Sequence, residues 1–421
     1  MKFGRLVFSH EALDLLQSFR EEIETGFLSY LQVFSGTPVK GKVIVRLEDF
    51  ETSESIPLVT IDDSGKFRCY FDMDQTIEFI QQEKYVKRKI PIYVKLGIDP
   101  DGLPGLVRKA AMLSFKASRS ILRSKSRPVF PNSFKDFSVD VWRFFVKALV
   151  ERLGDGKLNA EALWPNGKQF VVFLNHDVDT EWGFRNKNGV GAFRKIEEEK
   201  NLRSLWLIVT RLEHTEHRHI QNLFEGGHEI GCHGTQHDHR MAYLPEEKIR
   251  ERLLTAKSFL RDFNCAGFRS PSYHHTETLF RALNSFVEYD MSVHDTFENV
   301  NSPFPTFEGC STCFPFQIEG TGLFEFPTNV AEDFVLEMQG MPAERVLRFQ
   351  LDMIQAIRKR GGVANLLTHP EPQLSGRAQW IQNYKALLYE ITKDNSVWIP
   401  LPRELCKWWK TRKEKIDLSW Q

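Results

Sequence analysis

Between residues 165 and 402, short apolar runs alternate with longer amphipathic stretches, and this alternation restricts the fold more than any other feature of the chain. The runs QFVVFLN, RSLWLIVT, HEIGCHG, AGFRSPS, VEYDMSV, GLFEFPTN, VANLLTHP and SVWIPLP are of strand length. Segments such as PEEKIRERLLTAKSFLRDF and AERVLRFQLDMIQAIRKRGG lie between them and carry apolar residues at helical period. Strands alternating with helices build parallel βα units, and seven or eight such units in succession point to a closed barrel.

In a parallel barrel the C-terminal ends of the strands meet at one rim, and the loops there carry the chemistry. Several runs end in functional side chains. QFVVFL leads into Asn175, His176, Asp177 and Asp179, and HEIG leads into His233 and His237. AGF leads into Arg269, Ser270, Pro271, Ser272 and Tyr273, while EY leads into Asp290 and NLLT into His369. A buried charge is costly unless it is paired, hydrogen-bonded or bound to a metal, so NHDVD at a strand end requires an explanation.

His233 and His237 are four residues apart, so in a helical turn they share one face and can bridge a single divalent ion. Asp179 at a neighbouring strand end would complete a His2Asp set that leaves positions open, as catalytic metals require. Asp177 and Asp179 are two apart on an extended segment and point the same way, so one can ligate while the other serves as a base. His369 across the pocket could protonate a leaving amine, and Arg269 could orient the base by a charge-assisted bond. Alternation turns His176 away from Asp177, which removes it from the ligand set. His214, His217, His219 and His228 read as an exposed helix and its last turn.

HDVD, HGTQH, RSPSY, YDMS and LLTH, taken in this order, resemble the five motifs of the polysaccharide deacetylase family, also called the NodB-homology or carbohydrate esterase 4 family, in its D-x-D branch. The resemblance covers about residues 165 to 402. It implies an α/β fold, a distorted (β/α)7 barrel, and metal-dependent removal of an acetyl group from sugars. It makes Asp177 the general base, Asp179, His233 and His237 the metal ligands, Arg269 the tether of the base, His369 the acid and Asp290 the partner that tunes it. Leu367 would line the acetyl pocket, and Ser272 and Tyr273 would contact substrate, with a backbone N–H near Ser272 in the oxyanion site. Two departures stand out: Ser272 intervenes between Pro271 and the aromatic Tyr273, and MSVHDTF replaces the stretch that usually holds a tryptophan.

The expected cofactor is one divalent ion, zinc first, with cobalt, manganese, iron or nickel as alternatives. The expected substrate is an N-acetylated sugar, free, lipid-linked or nucleotide-linked, in polysaccharide or glycolipid precursor synthesis. A related amide hydrolase acting on a non-sugar such as a cyclic ureide would use the same groups, and a silent glycan-binding barrel would keep the fold. Two histidines and a carboxylate also make the facial triad of non-haem iron oxygenases, but βα alternation opposes the antiparallel sandwich usual for that chemistry.

Fifty-six basic and fifty-six acidic residues leave no global field to attract nucleic acid. The N-terminus reads as lacking an apolar leader and no stretch is long enough to span a bilayer, so the expected location is cytoplasmic, with peripheral contact at the inner membrane face. That contact is suggested by a basic amphipathic stretch at 106–127, with seven basic and no acidic residues, and by the basic C-terminal CKWWKTRKEK. Cys310 and Cys313 form a C-x-x-C without a second ligand pair nearby, which favours structural thiols over a zinc site. The expected division is a mixed α+β domain over 1–125, a connector and helix over 126–160, and the barrel with its basic terminal helix over 161–421.

Overall fold

The computed structural model describes residues 2–15, 27–31, 39–49, 52–86, 88, 90–96, 138–153, 162–294, 297–298 and 307–419. The basic stretch at 106–127 lies outside them, as does most of the expected connector. Two hydrophobic cores are present, one for each sheet system.

The N-terminal sheet contains β1 (Lys2–Phe8), β2 (Phe27–Leu31), β3 (Lys42–Asp49), β4 (Ser55–Ile61) and β5 (Phe67–Cys69), in the order β2-β1-β3-β4-β5 with every pair antiparallel. One face buries Leu6, Phe8, Val45, Leu47 and Leu58 against Val141, Trp142 and Phe145 of the helix Ser138–Leu153. That helix therefore shares the N-terminal core. Its Asp140 reaches the other sheet system, where its carboxylate accepts from the Thr312 hydroxyl and, at 2.9 Å, from the Cys313 N–H. Cys310 and Cys313 are fully buried at this junction, and no metal-ligand group among the described residues includes them.

The larger sheet starts with β6 (Phe170–Val178), β7 (Leu205–Ile208), β8 (Glu229–Cys232), β9 (Gly267–Phe268) and β10 (Tyr289–Asp290). After a two-stranded ribbon, β11 (Phe297–Glu298) and β12 (Phe307–Glu308), it continues with β13 (Phe316–Gln317), β14 (Phe324–Glu325), β15 (Val363–Thr368) and β16 (Val397–Trp398). Its order is β13-β14-β10-β9-β8-β7-β6-β15, with β16 also pairing β6. All pairs are parallel except β13 with β14. Every residue of β6 is buried, as expected for a parallel strand covered on both faces.

This is the α/β, curled, mostly parallel architecture expected for the barrel region, with the smaller sheet before it. It is not closed by a continuous backbone ladder. Between β14 and β15 closure passes through asparagines: Asn329 Nδ2 donates to the Val363 carbonyl at 2.7 Å, the Asn365 N–H donates to Asn329 Oδ1 at 3.0 Å, and Asn365 Nδ2 donates to the Phe326 carbonyl at 3.0 Å. These side-chain amides supply donor and acceptor there, alongside one backbone bond from the Val363 N–H to the Cys313 carbonyl at 2.9 Å.

The C-terminal helix Pro402–Ser419 lies against the barrel, with Trp409 5.6 Å from Trp164 and Trp408 donating to the Leu163 carbonyl at 3.0 Å. Both tryptophans of CKWWKTRKEK thus pack against the fold and are half-buried. No helix among the described residues is long and apolar enough to cross a membrane.

Candidate active site

Alternation along β6 sends Asn175 and Asp177 to the barrel interior and His176 to the outer layer. The Arg269 guanidinium, just past β9, lies fully inside the barrel. Its Nη1 donates to Asp177 Oδ1 and Asn175 Oδ1, both at 2.8 Å, its Nη2 to Thr328 Oγ1 at 3.1 Å and its Nε to the Met291 carbonyl at 3.0 Å. Asn175 Nδ2 in turn donates to Asn365 Oδ1 at 2.7 Å. Asp177 is therefore fixed by an arginine that is itself fixed on three sides.

Asp179 Oδ1 lies 3.3 Å from His233 Nε2 and 3.4 Å from His237 Nε2. These separations match the edge of about 3.3 Å that a tetrahedral ion with bonds near 2.0–2.1 Å imposes on its ligands. His233 Nδ1 is hydrogen-bonded to the Arg269 carbonyl at 2.9 Å, which fixes the ring and leaves Nε2 pointing at the cluster. The donor set thus fits a divalent ion. The helical turn expected for the histidines is absent, because residues 233–240 form an irregular loop with Gly234 at φ +76° and His239 at φ +57°. The i, i+4 spacing converges through that loop instead. Burial raises the Asp179 carboxyl, but His237 and His233 outweigh it and hold the group well below the usual carboxylate range.

His369 follows β15, with Nε2 3.9 Å from Asp177 Oδ2 across the pocket. Its partner differs from the sequence expectation. Asp290 accepts from the Ser292 N–H at 2.7 Å and the Ser292 hydroxyl at 3.0 Å and lies beside Glu325, so it does not meet His369. Asp333 takes that place: its Oδ1 is 2.6 Å from His369 Nδ1, and its Oδ2 accepts from the His369 and Ser375 N–H groups at 2.8 and 3.0 Å. Burial works against the charged imidazole, but Asp333, Asp179 and Glu332 outweigh it and raise the His369 pKa well above the ordinary range. Asp333 sits after β14, whose C-terminal end meets the same rim; carrying the strand-end rule one strand further along GLFEFPTNVAED would have found it.

Glu332, Asp333 and His369 also lie close enough to hold an ion. Their carboxylates are already occupied by the Phe334, His369 and Ser375 N–H groups, so the cluster serves the histidine. Two further buried carboxyls were not singled out from sequence. Burial and Asp333 push Glu332 up to about 8, despite the opposing His369. Burial and Asp179 push Glu371 up to about 8, and its Oε1 accepts from the Asp179 and Thr180 N–H groups at 2.9 and 3.2 Å.

Leu367 is fully buried on β15, in register with Asn175 and on the interior side with Asn365 and His369. Ser272 and Tyr273 occupy a 3₁₀ turn at φ +53° and +56°. The Tyr273 ring lies 5.8 Å from the Arg269 guanidinium, and burial, with Glu332 nearby, raises its phenol well above the ordinary range. Ser272 Oγ is 2.8 Å from His239 Nδ1. Of the remaining histidines, His217 and His219 are exposed on the helix Glu213–Glu225, whereas His228 is buried behind the barrel.

No family model matches the chain, and no curated protein matches it either. Solved structures do. A candidate polysaccharide deacetylase from Mycobacterium smegmatis is 20% identical with a TM-score of 0.49, over 60% of this chain and 94% of that one. Puue allantoinase is 14% identical with a TM-score of 0.48, over 61% and 96%. A candidate polysaccharide deacetylase from Pseudomonas aeruginosa PAO1 is 15% identical with a TM-score of 0.47, over 61% and 96%. At such scores these likenesses carry no weight for the chemistry, which this chain's own residues must supply.

Proposed function

We propose that the chain is a metal-dependent hydrolase that removes the acetyl group from an N-acetylated sugar. The observation that carries this reading is the convergence of Asp179, His233 and His237 at ligand-to-ligand spacing, beside an Asp177 whose Oδ1 is held by Arg269 and whose Oδ2 lies 3.7 Å from His233 Nε2. An ion on those three residues would supply Lewis acidity to an acyl carbonyl and would acidify water. Asp177, fixed by Arg269, accepts the proton of the attacking water. His369, kept protonated by Asp333, donates to the departing amine from the opposite side of the pocket. Leu367 bounds the space for the acetyl methyl, and Tyr273 and Ser272 border the sugar.

The test is to load the full chain with zinc and offer free, lipid-linked and nucleotide-linked N-acetylhexosamines together with a cyclic ureide, measuring acetate and ammonia. Acetate release that disappears in Asp177→Asn supports the reading. Turnover of the ureide alone would make the chain an amide hydrolase of another substrate class. Turnover of none, with saccharide binding retained, would make it a silent barrel.

A further inference from the structure

The N-terminal unit meets the barrel beside Tyr273, and the contact is built at a conformational cost. Glu83 follows the helix Met73–Gln81 and stands at φ +52°, a left-handed position just past a helix end where glycine is the usual residue. Non-glycine residues persist there only where the surrounding structure fixes them. The Glu83 side chain is buried, and its Oε2 is shared by Arg88 and by His275 Nε2, the latter at 2.6 Å. Burial raises its carboxyl, but Arg88 and His275 outweigh that and hold it well below the usual range, so it is the carboxylate that faces the ring.

His275 belongs to the barrel. Its ring stacks on Phe280 at 5.4 Å, and its Nδ1 lies 2.7 Å from the Tyr273 carbonyl. Held at both ring nitrogens and stacked on Phe280, the imidazole is a rigid link from Glu83 to Tyr273. Tyr273 and Ser272 are themselves left-handed, an outlying conformation for a bulky residue. The Tyr273 ring reaches the Arg269 guanidinium at the pocket. Other contacts secure the same junction: Tyr85 Oη donates to the Gly309 carbonyl at 2.7 Å, Gln82 Nε2 donates to the Gln317 carbonyl at 3.0 Å, and Lys84 Nζ pairs with Glu319 at 2.7 Å.

We infer that Glu83 is a positioning residue for the active site: through His275 it holds Tyr273 in its strained pocket-lining conformation, so the N-terminal unit completes the barrel's substrate site. The role assigned to Tyr273 rests on the proposed deacetylase reading; the mechanical link does not.

Two measurements on the full-length chain separate these claims. Hydrogen exchange by mass spectrometry reads the link without any turnover. Glu83→Ala should accelerate exchange in residues 270–276 while 170–178 stay protected, and Glu83→Gln, which keeps an acceptor oxygen, should restore most of the protection. Unchanged exchange at 270–276, or an equal rise at 170–178, would overturn the inference. If acetate release is observed, Glu83→Ala should lower kcat/KM about tenfold in the natural background and less than about threefold in Tyr273→Ala, which removes the ring that the link positions, because coupled residues are not additive. Equal losses in both backgrounds would also overturn it. An enzyme that releases no acetate would remove the deacetylase reading, and the exchange result alone would then decide the link.

Discussion

The two faces of β6 carry the same kinds of side chain and use them in opposite ways. On the outer face, His176 Nδ1 meets Thr368 Oγ1 and its Nε2 meets Glu197 Oε1, both at 2.7 Å. Glu197 also accepts from the hydroxyls of Tyr384 and Ser204, and His228 Nδ1 accepts from the Trp206 indole N–H at 3.2 Å. His176 stacks on Trp206 at 4.1 Å. On the inner face Asp177 is tethered, but Asp179, His233 and His237 gather around a point that none of them fills. A polar network closed on itself rigidifies a fold, whereas donor atoms that converge on one point at ligand-to-ligand spacing create a place for an ion. A histidine beside a carboxylate is thus no sign of function until the geometry of the surrounding donor atoms is known.

Changes that test this contrast should differ in kind as well as in size. The largest effect belongs to the inner face: Asp177→Asn and His369→Ala should each lower acetate release by about 10²–10⁴-fold, the usual range for lost acid–base catalysis, with metal content unchanged by elemental analysis. A comparable loss from His176→Phe without loss of fold would erase the distinction.

Asp333→Asn comes next. Asp333 is the leading group that raises the His369 pKa, so its removal lowers that pKa, and the protonated acid is lost at lower pH. The alkaline limb of the pH–kcat profile should therefore move toward acid. Asp290→Asn should leave it in place, since Asp290 does not touch His369.

On the outer face, Glu197→Ala should cost about 1–3 kcal/mol of stability, the range for leaving buried hydrogen-bonding groups unsatisfied, read by chemical denaturation. The smallest effect concerns His228. Burial, reinforced by His176 and opposed by Glu197, lowers its pKa from 6.5 to about 4. The folded state refuses a proton that the unfolded chain accepts, so stability should fall as pH drops from 6.5 toward about 4, and His228→Gln should flatten that slope.

Much of this was legible in sequence. Period alone separated the parallel strands from the helices, and alternation within NHDVD assigned His176 and Asp177 to opposite faces. The asparagine closure was not legible, because Asn329 and Asn365 look like ordinary strand residues until β14 and β15 are seen to lie apart. The Asp333 partner was hidden because Asp290 occupies a strand end of similar character, and only three-dimensional distance distinguishes them. The link from Glu83 joins residues 192 apart in the chain, and no local pattern announces a contact of that range. The placement of His228 went astray for a simpler reason: a histidine after a helix end reads as exposed, yet it turns inward to meet Ser204 and Trp206.

The central claim is that Asp179, His233 and His237 hold one ion while Asp177 stays off it. Anomalous diffraction from zinc-loaded crystals measures this directly. The account predicts a single peak about 2.0–2.3 Å from one atom of each of the three residues, retained in Asp177→Asn and absent in His233→Ala. A peak ligated by Asp177, or none within reach of the two histidines, would contradict it.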